Sequence, residues 1–218
     1  MSDDDREAFL RLYNPVSRET LAALETYRRL LTEWQERTNL VGTATLAEYW
    51  MRHVGDSLQA LALMPEAYHW IDLGSGAGFP GMVIAIAHGA DPRRSHVLID
   101  SNARKCAFLR EVARATGAHA TVVNERIESA AKRYAQARPA PQVVTARALA
   151  PLGRLLELAA PLLADGAVGL FHKGREYQGE IEDCRGLWEF DLVIHKSRIA
   201  AGSVLLEVRH PTRAGARR

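Results

Sequence analysis

The chain has few cysteines and no long apolar run. Its two cysteines, Cys106 and Cys184, are far apart and match neither a metal site nor a disulfide framework, so we expect reduced packing residues. No apolar run approaches the roughly 18 residues that a membrane helix needs. Residues 1–6 are acidic, with no apolar segment behind them to indicate a secretory signal. These absences predict a cytoplasmic protein without a metal site or membrane attachment.

What is present is the composition of an ordinary globular protein, 47% hydrophobic and 25% charged over 218 residues. The net charge of +2 is unevenly spread, because residues 1–68 carry 7 Lys/Arg against 11 Asp/Glu, and residues 69–218 carry 21 against 15. This basic part suits an anionic partner such as nucleic acid, although a solvated surface is the simpler explanation. The last ten residues contain no acid and four arginines, Arg209, Arg213, Arg217 and Arg218.

Two segments of the first third have the spacing of amphipathic helices. Apolar residues recur every three or four positions between Leu21 and Trp34, and Ser17 is placed to cap this helix. A second helical pattern runs from about Leu46 to Leu63. We therefore predict that residues 1–68 form a helical extension packed on a core domain, residues 69–218.

From residue 69 onward, short apolar runs alternate with helical stretches, which predicts an α/β protein with a doubly wound parallel sheet. Phe190–His195 and Ser203–His210 indicate a final, hairpin-like pair of edge strands. The predicted parallel strands are Trp70–Leu73, His96–Ile99, Ala120–Val123, Gln142–Thr145 and Ala167–Phe171. The predicted helices between them are Gly81–Ala87, Asn102–Thr116 and Pro151–Leu163.

The segment HWIDLGSGAGFPGMVIAIA, residues 69–87, is the part of the chain richest in glycine. Gly74, Gly76 and Gly78 form G-x-G-x-G directly after a predicted strand, which indicates S-adenosylmethionine (SAM) as the ligand. Gly76, Gly78 and Gly81 form G-x-G-x-x-G, the dinucleotide fingerprint, which indicates NAD. In both frames the turn lies at the carboxyl end of a parallel strand, where ligands bind in such sheets.

The position of this turn favours SAM. The NAD pattern starts late, at the third residue after Leu73, and contains Phe79-Pro80, whereas the SAM pattern starts directly after the strand. Residues 70–92 contain no lysine or arginine, which fits a cofactor without phosphate. Asp100, at the end of the next predicted strand, is placed to accept hydrogen bonds from both ribose hydroxyls. Because Asp100 suits either nucleoside, NAD stays an open alternative at this point.

Six stretches of the chain carry a family pattern: RTNLVG (37–42), RHVGDSL (52–58), DLGSGAGFPG (72–81), DSNARKCAFL (100–109), ARALAPL (146–152) and FHKG (171–174). They resemble the RsmG or GidB family of bacterial 16S rRNA guanine-N7 methyltransferases. The resemblance covers about residues 30–210, and the Phe-Pro-Gly extension of its glycine loop is more specific than a generic methyltransferase motif. It decides the cofactor question for SAM.

The resemblance implies a class I SAM-dependent methyltransferase fold, a Rossmann-like, seven-stranded and mostly parallel sheet with an antiparallel last strand, preceded by helices. It implies methyl transfer from SAM to N7 of guanine 527 in the 530 loop of 16S rRNA. The expected partner is 16S rRNA or the small ribosomal subunit, an assembly intermediate included. We expect the enzyme to act as a monomer.

The resemblance also assigns residues to the cofactor. Gly74 and Phe79 match the loop positions that contact SAM, Ile127 and Glu128 match the pair that flanks the adenine, and Arg147 matches the remaining position. With the ribose-binding carboxylate, the predicted cofactor-binding set is Gly74, Phe79, Asp100, Ile127, Glu128 and Arg147.

Two cations are predicted to bind substrate. Arg147 suits the methionine carboxylate, an RNA phosphate or guanine O6, with a structural ion pair as the alternative. Lys173 suits an RNA phosphate, with a solvated loop lysine as the alternative. His53, Asp56 and Ser57 share one face of the second predicted helix, and we expect them mainly to hydrogen-bond this helix to the sheet.

The implied chemistry needs no catalytic acid or base. The SAM methyl group is already activated, and guanine N7 has a free lone pair and loses no proton on methylation. We therefore predict direct in-line transfer, driven by orientation and without a covalent intermediate. The main alternative is a SAM-dependent methyltransferase acting on another RNA site or a small molecule. An NAD-dependent oxidoreductase is opposed by the position of Gly74, and a nucleic-acid-binding protein that keeps the fold without turnover is opposed by the presence of the glycine turn and Asp100.

Overall fold

A seven-stranded sheet lies at the centre of the protein, in a computed structural model that describes residues 3–13 and 16–215. Its strands are β1 (His69–Leu73), β2 (Ser95–Asp100), β3 (Ala120–Asn124), β4 (Val143–Arg147), β5 (Val168–Lys173), β6 (Trp188–Lys196) and β7 (Val204–Arg213). Their order across the sheet is β3-β2-β1-β4-β5-β7-β6. The first five strands are parallel, and β7 is antiparallel to both of its neighbours.

The prediction of a doubly wound sheet is confirmed, and so is that of a hairpin-like pair at its edge, because β6 pairs antiparallel with β7 at the end of the sheet. β7 lies inside the sheet, between β5 and β6, and only β6 is at the edge. Val204, Leu205 and Leu206 of β7 are all buried, whereas the residues of β6 after Trp188 are half-buried or exposed. The apolar run of β7 is typical of a strand that is covered on both faces of the sheet.

Helices cover both faces of the sheet. They are α1 (Asp3–Leu12), α2 (Arg18–Gln35), α3 (Asp56–Leu63), α4 (Gly81–His88), α5 (Ala103–Thr116), α6 (Ile127–Ala135), α7 (Leu152–Leu163) and α8 (Tyr177–Cys184). Sequence reasoning missed α1, α6 and α8, which are short and bury few large side chains; α6 buries only Ala130 and Ala131, and α8 only Cys184. No helix within the described ranges has the length and apolar content to cross a membrane.

The helical segment predicted over Leu46–Leu63 has three kinds of winding. A 3-10 helix over Thr43–Glu48 is followed by a π-helical stretch over Tyr49–Gly55 and then by α3. The Asp5 carboxylate of α1 accepts from the backbone N–H groups of Trp50 and Met51, at 2.8 and 3.3 Å, where the winding changes. π-Helical turns are often found at functional sites, and this one carries His53.

Residues of the helical extension share one apolar cluster with the sheet layer beneath α4 and α5. Phe9, Tyr27 and Trp50 are almost fully buried and pack with Met82 and Phe108. Ser17 caps α2, as predicted, by accepting from the Thr20 N–H at 3.1 Å. On the opposite face, α6, α7 and α8 pack in a second cluster around Phe171 and Leu206. The extension is therefore in contact with the end of the sheet where β1 turns into α4.

Two histidine side chains, His88 and His96, form a neutral relay at the end of the sheet away from that turn. Arg94 Nη1 lies 2.8 Å from His88 Nε2, His88 Nδ1 lies 2.7 Å from His96 Nε2, and His96 Nδ1 lies 3.1 Å from the His119 carbonyl oxygen. Because arginine only donates, His88 and His96 each carry their proton on Nδ1. Burial, with smaller contributions from neighbouring positive charges, lowers the pKa of His88 to about 3 and that of His96 to about 4.

We predict that His96 makes the protein sensitive to mild acid. Between the lowered pKa of the folded state and about 6.5 in the unfolded state, the unfolded chain binds more protons, so stability falls as pH falls through this window. At roughly 1.4 kcal/mol per pH unit, His96 accounts for about 2 kcal/mol of stability lost between pH 6.5 and pH 5.

Urea unfolding of the wild type and of His96→Gln at pH 7 and pH 5 measures this contribution. The loss in free energy of unfolding from pH 7 to pH 5 should be about 2 kcal/mol smaller in the variant than in the wild type. Burial raises the pKa of Asp72 to about 6, so its contribution to stability increases as pH falls. This contribution is the same in the wild type and the variant and cancels in the comparison. Equal pH dependence in the two proteins would show that His96 is not held neutral.

Candidate active site

The turn after β1 is built from glycines in the left-handed region. Gly74, Gly76 and Gly78 have φ values of +62°, +56° and +99°, which side chains disfavour. Added Cβ atoms would also collide: one on Gly74 would overlap Leu149, and one on Gly78 would lie 2.6 Å from the Tyr27 hydroxyl oxygen. The G-x-G-x-G pattern is therefore a requirement of backbone conformation and space.

Gly81, the glycine that completes the NAD-type pattern, has a different purpose. It is the first residue of α4, and a Cβ there would lie 2.6 Å from Cβ of Asp72 on β1. Gly81 thus makes room for the buried Asp72 side chain, which accepts from the Thr145 hydroxyl at 2.7 Å. Gly81 is thus explained by packing between helix and strand, which is also the role of the third glycine in a dinucleotide fingerprint, so it does not distinguish the two ligands.

Asp100, the predicted ribose-binding residue, ends β2 and holds the glycine turn. Its Oδ2 accepts from the Gly76 N–H at 2.8 Å and its Oδ1 from the Asn102 N–H at 2.7 Å. Each carboxylate oxygen has a further lone pair, so both retain the capacity to accept from a hydroxyl. The role of Asp100 in binding ribose stays a prediction.

A cavity of about 320 Å³ opens beside the glycine turn, which we call the turn cavity. Three of the six predicted cofactor residues line it: Gly74, Phe79 and Arg147. Part of the opposite wall consists of residues that the sequence analysis did not select. The helical extension supplies Leu40, Val41, Gly42 and Thr45, and α5 supplies Lys105. The RTNLVG stretch contains the first three of them and was the signal that could have identified this wall.

Ile127 and Glu128 do not line the turn cavity. They begin α6, where Ile127 packs against the cluster around Phe171. The Glu128 carboxylate is exposed and pairs with Arg154 at 2.6 Å. Their contact with adenine stays a prediction.

Arg147, the last residue of β4, joins the extension to the sheet. Its guanidinium lies 3.2 Å from Asp56 Oδ2 and 2.6 Å from His53 Nδ1, and donates to the Arg52 carbonyl oxygen at 3.1 Å. The ion pair predicted as its structural alternative is therefore present. Ser57 does not take part, because its hydroxyl donates to the His53 carbonyl oxygen at 2.6 Å.

His53 is held as a neutral acceptor between this guanidinium and Phe79. Its Nδ1 accepts from Arg147, so its proton lies on Nε2, 3.1 Å from Thr45 Oγ1. Burial first, and then the charge of Arg147, lowers the pKa of His53 to about 3. The imidazole ring stacks on Phe79 with centroids 4.6 Å apart. His53 thus orients two of the predicted cofactor residues at once.

Lys173 is neither a free cation nor a solvated lysine. It ends β5 with its side chain 7% exposed, and its ammonium group lies 2.5 Å from Glu180 Oε2 and 2.6 Å from the Ala150 carbonyl oxygen. The predicted loop alternative is wrong because strand β5 extends through residue 173. Contact with an RNA phosphate stays a prediction, with one of three ammonium protons left to donate.

A second cavity, of about 760 Å³, adjoins the turn cavity and is called here the strand-end cavity. Arg52, Arg147 and Ala148 line both cavities. Ala148 has φ of +51°, a conformation that is rare for residues other than glycine and is often found at functional sites. Two ligands, one in each cavity, would therefore meet at the carboxyl end of β4.

Several other charges at the surface are paired with one another. Among the arginines of the basic C-terminal part, Arg209 pairs with Glu207 at 2.9 Å, and Arg213 pairs with Glu157 and lies over the Trp188 ring. Arg217 and Arg218 lie outside the described residues. Within residues 3–13 and 16–215, no group of three or more His, Cys, Asp or Glu side chains could hold a metal ion.

The strand order, the left-handed glycine turn after β1 and the acidic residue ending β2 together define a class I SAM-dependent methyltransferase. A methyltransferase from Geobacter sulfurreducens has the same fold, with a TM-score of 0.55 at 18% identity, covering 96% of this chain and 97% of that one.

The sequence comparison is more specific than the fold. GidB, the family described as rRNA small subunit methyltransferase G, matches residues 20–205. The ribosomal RNA small subunit methyltransferase G of Methylorubrum populi is 49% identical over 95% of this chain and 96% of its own length. That of Parvibaculum lavamentivorans is also 49% identical, over 94% and 89%. The chain belongs to the GidB family of rRNA methyltransferases, and its methyl donor is SAM.

We predict that Gly74→Ala weakens SAM binding at least tenfold, because Gly74 lines the turn cavity and its new Cβ would overlap Leu149, which lines the adjoining strand-end cavity. Gly117→Ala is the matched control: Gly117 has a similar φ of +68° but nothing within 4 Å of an added Cβ. Both variants should lose roughly 1–2 kcal/mol of stability from backbone strain. Calorimetric titration with SAM would contradict the assignment of the cavity if both variants bound equally well.

Proposed function

We propose that the enzyme transfers a methyl group from SAM to N7 of guanine 527 in the 530 loop of 16S rRNA. Membership of the GidB family supports small-subunit rRNA as the substrate. The observation that carries the transfer itself is the pair of adjoining cavities, with the glycine turn lining one and Arg147 and Ala148 lining both. SAM would occupy the turn cavity, and the acceptor base would approach from the strand-end cavity.

The mechanism we propose is direct in-line displacement. The N7 lone pair forms the new N–C bond while the electron pair of the S–CH3 bond returns to sulfur, so positive charge moves from sulfur to the purine. No proton has to leave N7, and no general base is assigned. Holding N7 in line with the methyl group can contribute roughly 7–11 kcal/mol at best.

Arg147 is proposed to position the reactants. Because the purine becomes cationic, a guanidinium stacked on its ring would oppose the reaction, so contact with the methionine carboxylate, a phosphate or guanine O6 is more favourable. Asp56 already neutralises much of this charge at 3.2 Å. We assign Gly74, Phe79, Asp100, Ile127 and Glu128 to SAM as predicted above.

The form of the substrate follows from RNA geometry. N7 lies on the major-groove edge of the base, and the major groove of an A-form helix is too deep and narrow for side chains to reach it. The target base must therefore be in a loop or be exposed by remodelling, in the small subunit or an assembly intermediate. We propose that residues 1–68 act as an extension of the core domain, since they complete the wall of the turn cavity. We also propose that the enzyme works in the cytoplasm, where a ribosomal substrate would be found, and that it acts as a monomer.

Transfer of labelled methyl from SAM tests the proposed function. Small subunits and 16S rRNA lacking N7-methylguanosine are incubated with the enzyme, and the product is mapped to a nucleotide. We expect label on N7 of guanine 527. Label at another nucleotide would show that guanine 527 is not the acceptor. SAM binding without label on either RNA would direct the search to other RNAs and small molecules.

We predict that Arg147→Ala lowers kcat/KM for methyl transfer at least tenfold, because the side chain shared by both cavities is lost. Arg147→Lys keeps the charge but not the planar fork and should be intermediate. Arg29→Ala, which removes an exposed arginine on α2 paired with Glu33, is the control for charge. Wild-type rates in a folded Arg147→Ala protein would leave Arg147 with a structural role alone.

A further inference from the structure

The strand-end cavity contains a buried histidine that the proposed mechanism does not use. His172, on β5, is the register partner of Arg147 on β4 and lines this cavity. Its side chain is 6% exposed, and its Nδ1 lies 3.2 Å from Asp56 Oδ2. Its Nε2 is buried and has no hydrogen-bond partner among the described residues.

The partner of Nδ1 determines what Nε2 can do. Burial alone would raise the pKa of Asp56, but the hydrogen bond from the His172 ring and the charge of Arg147 hold it below its ordinary value. Asp56 is therefore an anion that keeps the imidazole proton on Nδ1. With the ring proton on Nδ1, Nε2 presents a lone pair, and a buried acceptor without a donor is a group that a ligand can satisfy.

Adenine and guanine both carry an N7 lone pair, so the methylated atom itself does not distinguish them. Their ring N1 atoms do, because N1 of guanine bears a hydrogen and N1 of adenine bears a lone pair. A fixed acceptor opposite N1 would bind guanine and repel adenine. The arrangement of Asp56 and His172 supplies an acceptor of this kind in the cavity that adjoins the SAM site.

We propose that the strand-end cavity is the pocket for the acceptor guanine, and that His172 Nε2 accepts a hydrogen bond from guanine N1–H. This inference rests on the proposed function and assigns the residue that reads the base. Arg52 and Arg175, which are exposed and line the same cavity, are placed to meet the phosphates on either side of the base.

The same hydrogen bond favours the transfer step. As N7 shares its lone pair with the methyl carbon and sulfur regains the S–C pair, the purine becomes a cation and its N1–H a stronger donor. The hydrogen bond to Nε2, with Asp56 behind the imidazole, therefore strengthens towards the transition state. N1–H stays bonded to the base, so the reaction needs no proton acceptor.

The test pairs changes in the enzyme with changes in the base. Small subunits are reconstituted with 16S rRNA carrying guanine, inosine or 2-aminopurine at position 527. Inosine lacks only the N2 amine, whereas 2-aminopurine lacks N1–H and O6 but keeps N7. His172→Asn keeps an amide that can donate to Asp56 and removes the acceptor at the Nε2 position; His172→Phe is a second variant without that acceptor.

The wild type should methylate 2-aminopurine roughly 100-fold more slowly than guanine. In His172→Asn and His172→Phe this ratio should fall below about tenfold, while the ratio of inosine to guanine stays as in the wild type. His96→Asn removes another buried histidine, at the opposite end of the sheet, and should keep the wild-type ratios. SAM affinity, measured by calorimetry, verifies that each variant is folded.

An unchanged 2-aminopurine ratio in a His172 variant that binds SAM and methylates guanine would overturn the assignment of His172. If the His172 variants changed only the ratio of the methylation rates of inosine and guanine, the assignment would also be overturned, since the N2 amine would then be the group that His172 recognises. Absence of label on guanine N7 with the wild-type enzyme would mean failure of the proposed function itself, and is seen before any variant is measured.

Discussion

The buried ion pair between Arg147 and Asp56 is the interaction on which the candidate site depends. It joins the carboxyl end of β4 to the first residue of α3, and so fixes the helical extension against the sheet. Both side chains are less than one-fifth exposed. Breaking a buried pair by removing one partner typically costs 3–5 kcal/mol, because an uncompensated charge is left behind. Arg147 lines both cavities, so the shape of the region where they adjoin depends on this pair.

Two histidines contact this pair, and it sets them in opposite states. Arg147 donates to Nδ1 of His53, which fixes the proton of that ring on Nε2, towards Thr45. Asp56 Oδ2 lies 3.2 Å from Nδ1 of His172, a contact that in our proposal keeps the ring proton there and leaves Nε2 to accept from the base. Chemically identical side chains thus have different roles, one as a support for Phe79 and the other as the proposed acceptor. The difference is electrostatic and arises from which member of the ion pair each ring faces.

The glycine turn shows a similar division of roles among identical residues. Gly74, Gly76 and Gly78 are needed for left-handed backbone, while Gly81 is needed for the space that Asp72 occupies. The overlap of two ligand patterns in one short stretch therefore has a structural cause. A motif read as letters does not distinguish a glycine that faces a ligand from one that faces a strand.

The sequence by itself determined the sheet, the cofactor turn and the family, because these are recorded in local patterns. Apolar runs alternating with helices predicted all five parallel strands, and the spacing of Gly74 to Asp100 indicated a nucleoside site. It did not reveal α6 or α8, whose buried faces consist of small residues, or the position of β7 inside the sheet.

Only the tertiary structure decided which charges are available. Lys173 and Arg147 look like free cations in the sequence, yet Glu180 and Asp56, distant along the chain, neutralise them. His172 lies in the FHKG stretch, but the sequence gives no sign of its role, because its chemistry depends on a carboxylate 116 positions earlier in the chain. Pairing between buried groups is a property of three-dimensional distance, which local sequence pattern does not encode.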